Sequence, residues 1–456
     1  MSNKIIYSLF VVVVLSLASC SNDDYANALP ADSMAVASIS LSQGDNDNEN
    51  QAKVLLQTLL GMDVSDDLGL DFTQKVYLFE TNDGLFGCCV KVDDKDKLLN
   101  SLNVMVAGNG KDATAHEYKG YHFAVVKENW MAGLSDDALL VVGPVIKAQF
   151  TALKQRMTKW LKADDNESLV SKPMFQHLDS IDAPMAFVAQ IQALPDQVRF
   201  PLTMGVPKDQ DGSQVFWAAT MKPNGNIVDL EGELFSFNKQ LDDSIKASNT
   251  SFRTITGLFS ESLSKDDMAS FVVNIEGDRL LDFLRADKNS QMLLAGVNAA
   301  IDLDNILRCV DGEVLLTLHS FKGQQMEMDL LVQLKSQVFL KNVGYWKASC
   351  PKGTSITDVG PNAFRFTDGN VNFYFGIDGN NWFYVSTSPK NAEKKDDIVE
   401  HPLDDAVKDK MKGKNLCLLV NLQSLVDHPD IGSFFSPVKT ALFGKVNTLI
   451  YHSKKN

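Results

Sequence analysis

Short runs of alternating apolar and polar residues, closed by turn residues, fill most of this chain. Met34 to Leu41 alternates in this way and predicts a strand. Lys75 to Phe79 and Gly87 to Val92 flank Asn82-Asp83-Gly84, which predicts a hairpin with a tight turn. Glu313 to His319 and Met328 to Leu334 predict a second hairpin, turning near Lys322-Gly323. Strands are also expected over His116 to Lys127 and Ala138 to Val142. Phe364 to Thr367, Val371 to Ile377 and Trp382 to Thr387 are separated by Asp-Gly-Asn turns and predict a meander. Val215 to Met221 and Ile227 to Phe235 enclose a Pro-Asn-Gly turn, and Val446 to His452 is a last strand. Helical spacing marks Gln51 to Met62, Asp93 to Val106, Asp278 to Leu284 and Ser336 to Trp346. Asn238 to Ser251 is polar and reads as a link.

The order of these elements recurs. Leu29-Pro-Ala-Asp-Ser-Met-Ala35 and Leu263-Ser-Lys-Asp-Asp-Met-Ala269 share Leu, Asp, Met and Ala at one spacing, 234 residues apart. Phe187 to Leu194 and Leu418 to Leu425 match in pattern 231 residues apart, with Asp196 and Asp427 at the same offset. A nearly constant offset, drifting through loops, is what a duplicated domain produces. The fold expected is α+β, in two tandem related units over 29–250 and 251–456. Each is a mostly antiparallel sheet with helices packed against it.

The first residues follow a different rule. Lys4 is the only charge before Asp23, and an apolar run extends from Ile5 to Ala18. Fourteen residues fall short of the roughly 20 that span a bilayer as a helix. A basic start, a short apolar core and small residues at the exit describe a removable secretory signal over 1–19. Leu17-Ala18-Ser19-Cys20 resembles a bacterial lipobox, which implies that Cys20 carries lipid. Ser21-Asn22-Asp23-Asp24 resembles the acidic surface-export signal of Bacteroidetes lipoproteins. Residues 20–28 are then a lipid-anchored tether. With the first strand starting near Met34, the body is expected to stand off the membrane on a leash.

The lipobox, the acidic tether, the Leu-Pro-x-Asp-x-Met-Ala opening and the doubled β-α-β-β order together resemble a Bacteroidetes lipoprotein family, domain of unknown function 4836. That resemblance implies an exported lipoprotein with an α+β body. It brings no catalytic residues.

Charge and cysteine narrow the partners. A net charge of −15 disfavours nucleic acid, which is bound by neutralising phosphates. Cys88, Cys89 and Cys417 lie in apolar runs and read as core thiols. A Cys309–Cys350 bridge stays open. The body offers no Gly-x-Ser-x-Gly elbow, phosphate loop or dinucleotide fingerprint, and no cofactor is assigned. His116-Glu117 and His122 lack the zincin spacing. As strand residues an even number apart, the two histidines are expected to share a face. Asp45 to Glu49 starts like a calcium loop but has Asn50 at the glycine position, and no metal ligand set is assigned.

Two patterns stand out. Pro144 to Lys162 carries Lys147, Lys154, Arg156, Lys159 and Lys162 without an acid. Its apolar residues Ile146, Phe150, Leu153, Met157 and Trp160 fall at helical spacing, so the bases form a candidate face for an anionic ligand. Tyr374, Trp382 and Tyr384 in the meander form a candidate aromatic platform. The function expected is a lipid-anchored outer-membrane, cell-surface protein without enzymatic activity. It would touch the membrane through Cys20, with the periplasmic face as the alternative location, and bind or assemble with an envelope protein or glycan. The alternative is an exported hydrolase acting on glycan or peptide.

Overall fold

The computed structural model describes residues 24–453, apart from 41–67, 109–114, 127–128, 195–198, 200–201, 204–210, 250, 287–290, 292–301, 323–324, 370–371, 379–381, 390–398, 430–435, 437–438, 440–443 and 445. Cys20, the acidic loop at 45–50, the helix expected over 51–62 and the loop at 391–397 lie outside the described residues. No helix among the described residues is long and apolar enough to cross a membrane. The chain divides into two compact units, residues 1–188 and 189–456.

In the first unit a 3-10 turn, Asp24–Ala28, precedes the first strand. The strands are β1 (Ser33–Ile39), β2 (Val76–Thr81), β3 (Phe86–Lys91), β4 (His116–Tyr118), β5 (Tyr121–Val126), β6 (Trp130–Leu134), β7 (Ala138–Gly143) and β8 (Met185–Gln190). The helices are α1 (Lys95–Gly108), α2 (Phe150–Lys162) and α3 (Pro173–Asp179). The pairing order is β8-β1-β2-β3-β7-β6-β5-β4. β7 is buried at every position, which is why Ala138 to Val142 reads as an unbroken apolar run and not as an alternation. β2 and β3 turn through Gly84, whose φ of +81° is open to glycine at no steric cost.

The second unit holds β9 (Phe216–Asn224), β10 (Ile227–Phe235), β11 (Phe252–Arg253), β12 (Ala269–Glu276), β13 (Val310–Lys322), β14 (Gln325–Leu334), β15 (Ser355–Gly360), β16 (Ala363–Thr367), β17 (Asn372–Ile377), β18 (Trp382–Ser386), β19 (Leu416–Asn421) and β20 (Thr448–Ser453). Its helices are α4 (Lys239–Asn249), α5 (Gly277–Ala286), α6 (Leu303–Arg308), α7 (Val343–Ser349), α8 (Asp405–Met411) and α9 (Leu422–Val426). The stretch expected as a link is therefore helical. Asn238 Oδ1 accepts from the Gln240 amide at 3.0 Å and caps α4, and Leu241 and Ile245 are buried.

From β19 outward the order is β19-β12-β13-β14-β18-β17-β16-β15. This is the pairing order of β8 to β4, strand for strand. Beyond β19 come β20, β10 and β9, with β10 and β20 parallel and every other described pair of this unit antiparallel. Pro223 sits in β9, which among the described residues pairs with β10 alone, as a residue without an amide proton requires. β6 and β15 escape the sequence reading; β15 is largely exposed and carries no apolar alternation.

The sheet of the second unit is covered on both faces. One face packs Val273, Val314, Phe339, Trp346, Phe375 and Phe383 into a core that includes α5, α6 and α7. The other packs Val272, Leu315, Cys417 and Ile450 against Ile255, Phe259 and Leu263 and against Val407 and Met411 of α8. Two-sided burial leaves the polar side chains of central strands no water. Glu313, 1% exposed, answers this from within the protein. Its carboxylate accepts from the amides of Thr256, Gly257 and Leu258 and from the Thr256 hydroxyl. Each charge-assisted bond of this kind contributes on the order of 1.5–3 kcal/mol, and losing the acceptor strands three amides.

The first unit begins earlier than the pattern predicts. Tyr25, Ala26, Ala28 and Leu29 are all buried, at 4% exposure or less. The Tyr25 hydroxyl donates to the Lys75 carbonyl at 2.7 Å, its ring packs on Tyr77, and Leu29 pairs with the backbone at Leu169. The short, mostly polar run 22–28 hides this, because one tyrosine and two alanines make no periodic pattern. Residues 24–28, expected as part of a tether over 20–28, are therefore part of the packed body.

Replacing Glu313 by Ala is expected to lower the unfolding free energy by about 3 kcal/mol. Urea unfolding followed by circular dichroism reads this as a lower midpoint at unchanged slope. A loss below about 1 kcal/mol contradicts the account of the 256–258 loop.

Candidate functional site

The five bases of the α2 segment do not form one face. Lys154 and Arg156 leave the helix about 200° apart, on either side of the buried stripe of Leu153 and Met157. Arg156 is taken up inside the unit. Its guanidinium grips Asp83 through two bonds, 2.6 and 3.2 Å, and lies 3.6 Å from Asp32. That fork ties α2 to the β2–β3 turn and holds the Asp83 carboxyl below the usual carboxylate range. Lys154 sits over the Tyr118 ring, 4.7 Å from its centre. Lys147, Lys159 and Lys162 are exposed.

Tyr374, Trp382 and Tyr384 do share one sheet face, since Tyr374 stands opposite Ser386 and Tyr384 opposite Gly376. That face is covered where Trp382 meets Phe259 edge-on at 5.1 Å. Tyr384 is buried, and Tyr374 and Trp382 are half-buried. The covering segment, 255–263, carries no periodic signal that would have announced it.

His116 and His122 are on opposite faces. His116 stands opposite Phe123, and His122 opposite Glu117. The even count fails because a two-residue turn lies between them, and crossing it reverses the parity of the faces. All five cysteines among the described residues are free thiols, so Cys309 and Cys350 are not bridged. Burial pushes the Cys88 and Cys417 thiols up to about 12.

The fold assembles two ionic clusters that separation in sequence conceals. In the first, β13 brings His319 between Asp267 and Asp329. Nδ1 is 2.7 Å from Asp267 and Nε2 is 2.9 Å from Asp329. The register of β13 and β14 shifts between Leu318 and Ser320, and this irregularity falls on His319. Alongside it, Ser270, Thr317, Asp329 and Ser386 stand opposite one another in a row across β12, β13, β14 and β18. Burial pushes the His319 imidazole down, but hydrogen bonds to the two carboxylates prevail and raise it to about 10. In the second, Asp229 of β10 accepts from His452 Nε2 at 2.9 Å and pairs with Lys410. The His452 bond, then Lys410, hold Asp229 down at about 2 against the effect of burial.

This geometry decides what His319 can do. A general base needs a free ring nitrogen and a neutral ring near pH 7. Both nitrogens of His319 are occupied and the ring stays charged. It can neither deprotonate a nucleophile nor ligate a metal in this arrangement. Among the described residues, no group of three or more His, Cys, Asp or Glu is arranged to hold a metal ion. What the cluster does is fasten the turn before β12 to the β13–β14 hairpin.

One family model matches the chain over residues 25–452, that of a domain of unknown function, DUF4836. The chain belongs to this family. The match starts at Tyr25, within the first packed turn. No curated protein and no solved structure shows a significant match. Membership in DUF4836 assigns no activity, and the ionic clusters are features of this chain's own geometry.

His319 is favoured as the cation in the fold. Its contribution is complete below its ordinary value of 6.5 and disappears as pH rises through about 10. The stability gap between the natural protein and His319→Gln is therefore expected to be widest near pH 6 and to close between 6.5 and 10. Urea unfolding across that range reads it, and a gap independent of pH contradicts the paired imidazolium.

Proposed function

We propose that this DUF4836 member is a lipid-anchored outer-membrane protein, exposed at the cell surface, that binds or assembles with an envelope partner and performs no catalysis. The observation that carries the reading is the 14-residue apolar run Ile5 to Ala18, which ends in Leu17-Ala18-Ser19-Cys20 and is followed by an acidic pair and then a packed body. A secretory signal of this length is too short to remain as a spanning helix. Lipid on Cys20 is then the means of attachment, and more than one acyl chain makes it firm. The acidic pair favours the outward-facing side.

The body reads as two tandem related units, in line with the eight strands β1 to β8 and the strands β12 to β19 pairing in one order. Binding over catalysis is favoured by His319 being held between two carboxylates. For a ligand, the exposed Lys147, Lys159 and Lys162 suit an acidic glycan or an acidic envelope protein. Exposed cations of this kind attract through a screened field, so their effect fades with salt.

Replacing Cys20 by Ala is expected to move the protein from the membrane fraction to the soluble fraction on cell lysis and washing. Retention of Cys20→Ala in the outer-membrane fraction, at the level of the natural protein, sinks the lipid-anchor reading.

Changing Lys147, Lys159 and Lys162 together to Gln is expected to leave thermal unfolding in place, since no described ion pair uses them. Retention on an immobilised acidic polysaccharide at low salt is expected to fall at least several-fold. Unchanged retention removes the ligand face.

A further inference from the structure

The packing of the 3-10 turn Asp24–Ala28 constrains how the body sits on a membrane. Only Ser21, Asn22 and Asp23 separate Cys20 from Asp24. Four residue steps reach at most about 14 Å when fully extended. From Tyr25 to Pro30 the chain is packed into the first unit. Tyr25, Ala26, Ala28 and Leu29 are buried, and the Tyr25 carbonyl accepts from the Cys89 thiol. Asn27 donates to Asp165 at 2.7 Å, and Pro30 bridges to Ser168. Beside Tyr25, Lys75 pairs with Asp179 at the end of α3.

We propose that lipid on Cys20 holds the first unit directly against the lipid headgroups, with the rim of the 3-10 turn facing them: Asp24, the 164–166 turn, and the Lys75–Asp179 pair. This rests on the lipid-anchor reading of Cys20. The partner is the membrane surface itself. Nothing in the rim attracts anionic lipid, since Asp24, Asp164, Asp165 and Asp179 outnumber Lys75. The short tether imposes the contact, and like charge resists it. α2 runs into the 164–166 turn, so the Lys159 and Lys162 end of that helix is held nearer the membrane than a ten-residue leash would allow.

The geometry can be tested without relying on cellular acylation. The full chain from Cys20 onward, with Cys350→Ser to remove the one half-buried thiol, is coupled at Cys20 to a maleimide phospholipid. It is placed in phosphatidylcholine vesicles containing a nitroxide-headgroup lipid. A fluorophore introduced as a clickable residue at position 166 reports contact-range quenching. A second chain carries 12 Gly/Ser residues between Asp23 and Asp24, which doubles the mean reach of the tether from about 11 to about 22 Å and leaves Tyr25 in place. Quenching with the native tether is expected to exceed that with the lengthened tether at least threefold. Equal quenching of the two chains, or none with the native tether, overturns the proposal. Either result leaves the acylation of Cys20 itself to the fractionation of Cys20→Ala.

Discussion

Central strands buried on both faces leave no water for the polar side chains they carry. That constraint shapes the second unit. Glu313 and Asp267 are buried on or beside such strands, Asp229 and Asp329 are half-buried on theirs, and each is met by donors from elsewhere in the unit. An unpaired buried carboxylate costs several kcal/mol, comparable with the whole net stability of a domain. The loop at 256–258 is therefore held by Glu313, the His319 ring by Asp267 and Asp329, and His452 and Lys410 by Asp229. The same requirement explains why ionisable groups gather here in mutually paired clusters. Each is spent on its neighbour.

The two histidine clusters respond to pH from opposite ends. Asp229, depressed to about 2, contributes above its ordinary value of 3.8 and fails only as pH falls toward 2. His319 contributes from the acid side up to about 10. Between roughly pH 4 and 6.5 both are fully formed, which gives the unit a broad, mildly acidic optimum of ionic support. His319, raised to about 10, does not titrate close to neutrality and is not suited to act as a physiological pH switch.

Much of the fold was legible because period and turn chemistry are local. Asn82-Asp83-Gly84 forecasts the β2–β3 hairpin, the stripe of Leu153 and Met157 forecasts the buried side of α2, and the Asp-Gly-Asn turns forecast β16 to β18. What was not legible depends on distant partners. Asp267 and His319 are 52 residues apart, and a local register shift brings the ring into line. β15 lies at an edge with few buried residues, and α4 reads as a polar link because only Leu241 and Ile245 of its eleven residues are buried. The candidate sites fared less well than the elements. Spacing places five bases on or just before α2 and three aromatics on one sheet face, but the pattern cannot say that Asp83 takes Arg156 or that Phe259 covers Trp382. The start of the body was misplaced for a related reason: Tyr25 is held by Lys75, Tyr77 and Cys89, all far along the chain.

The account joins an address read from residues 1–24 to a body packed from Asp24 onward, and lipid on Cys20 is the claim on which its functional part turns. The direct measurement is the mass of the N-terminal peptide of the protein isolated from the cell envelope. The account predicts a peptide that begins at Cys20, lacks residues 1–19 and carries a thioether-linked diacylglyceryl group. A peptide containing unmodified Cys20, or one that extends upstream of it, contradicts the account.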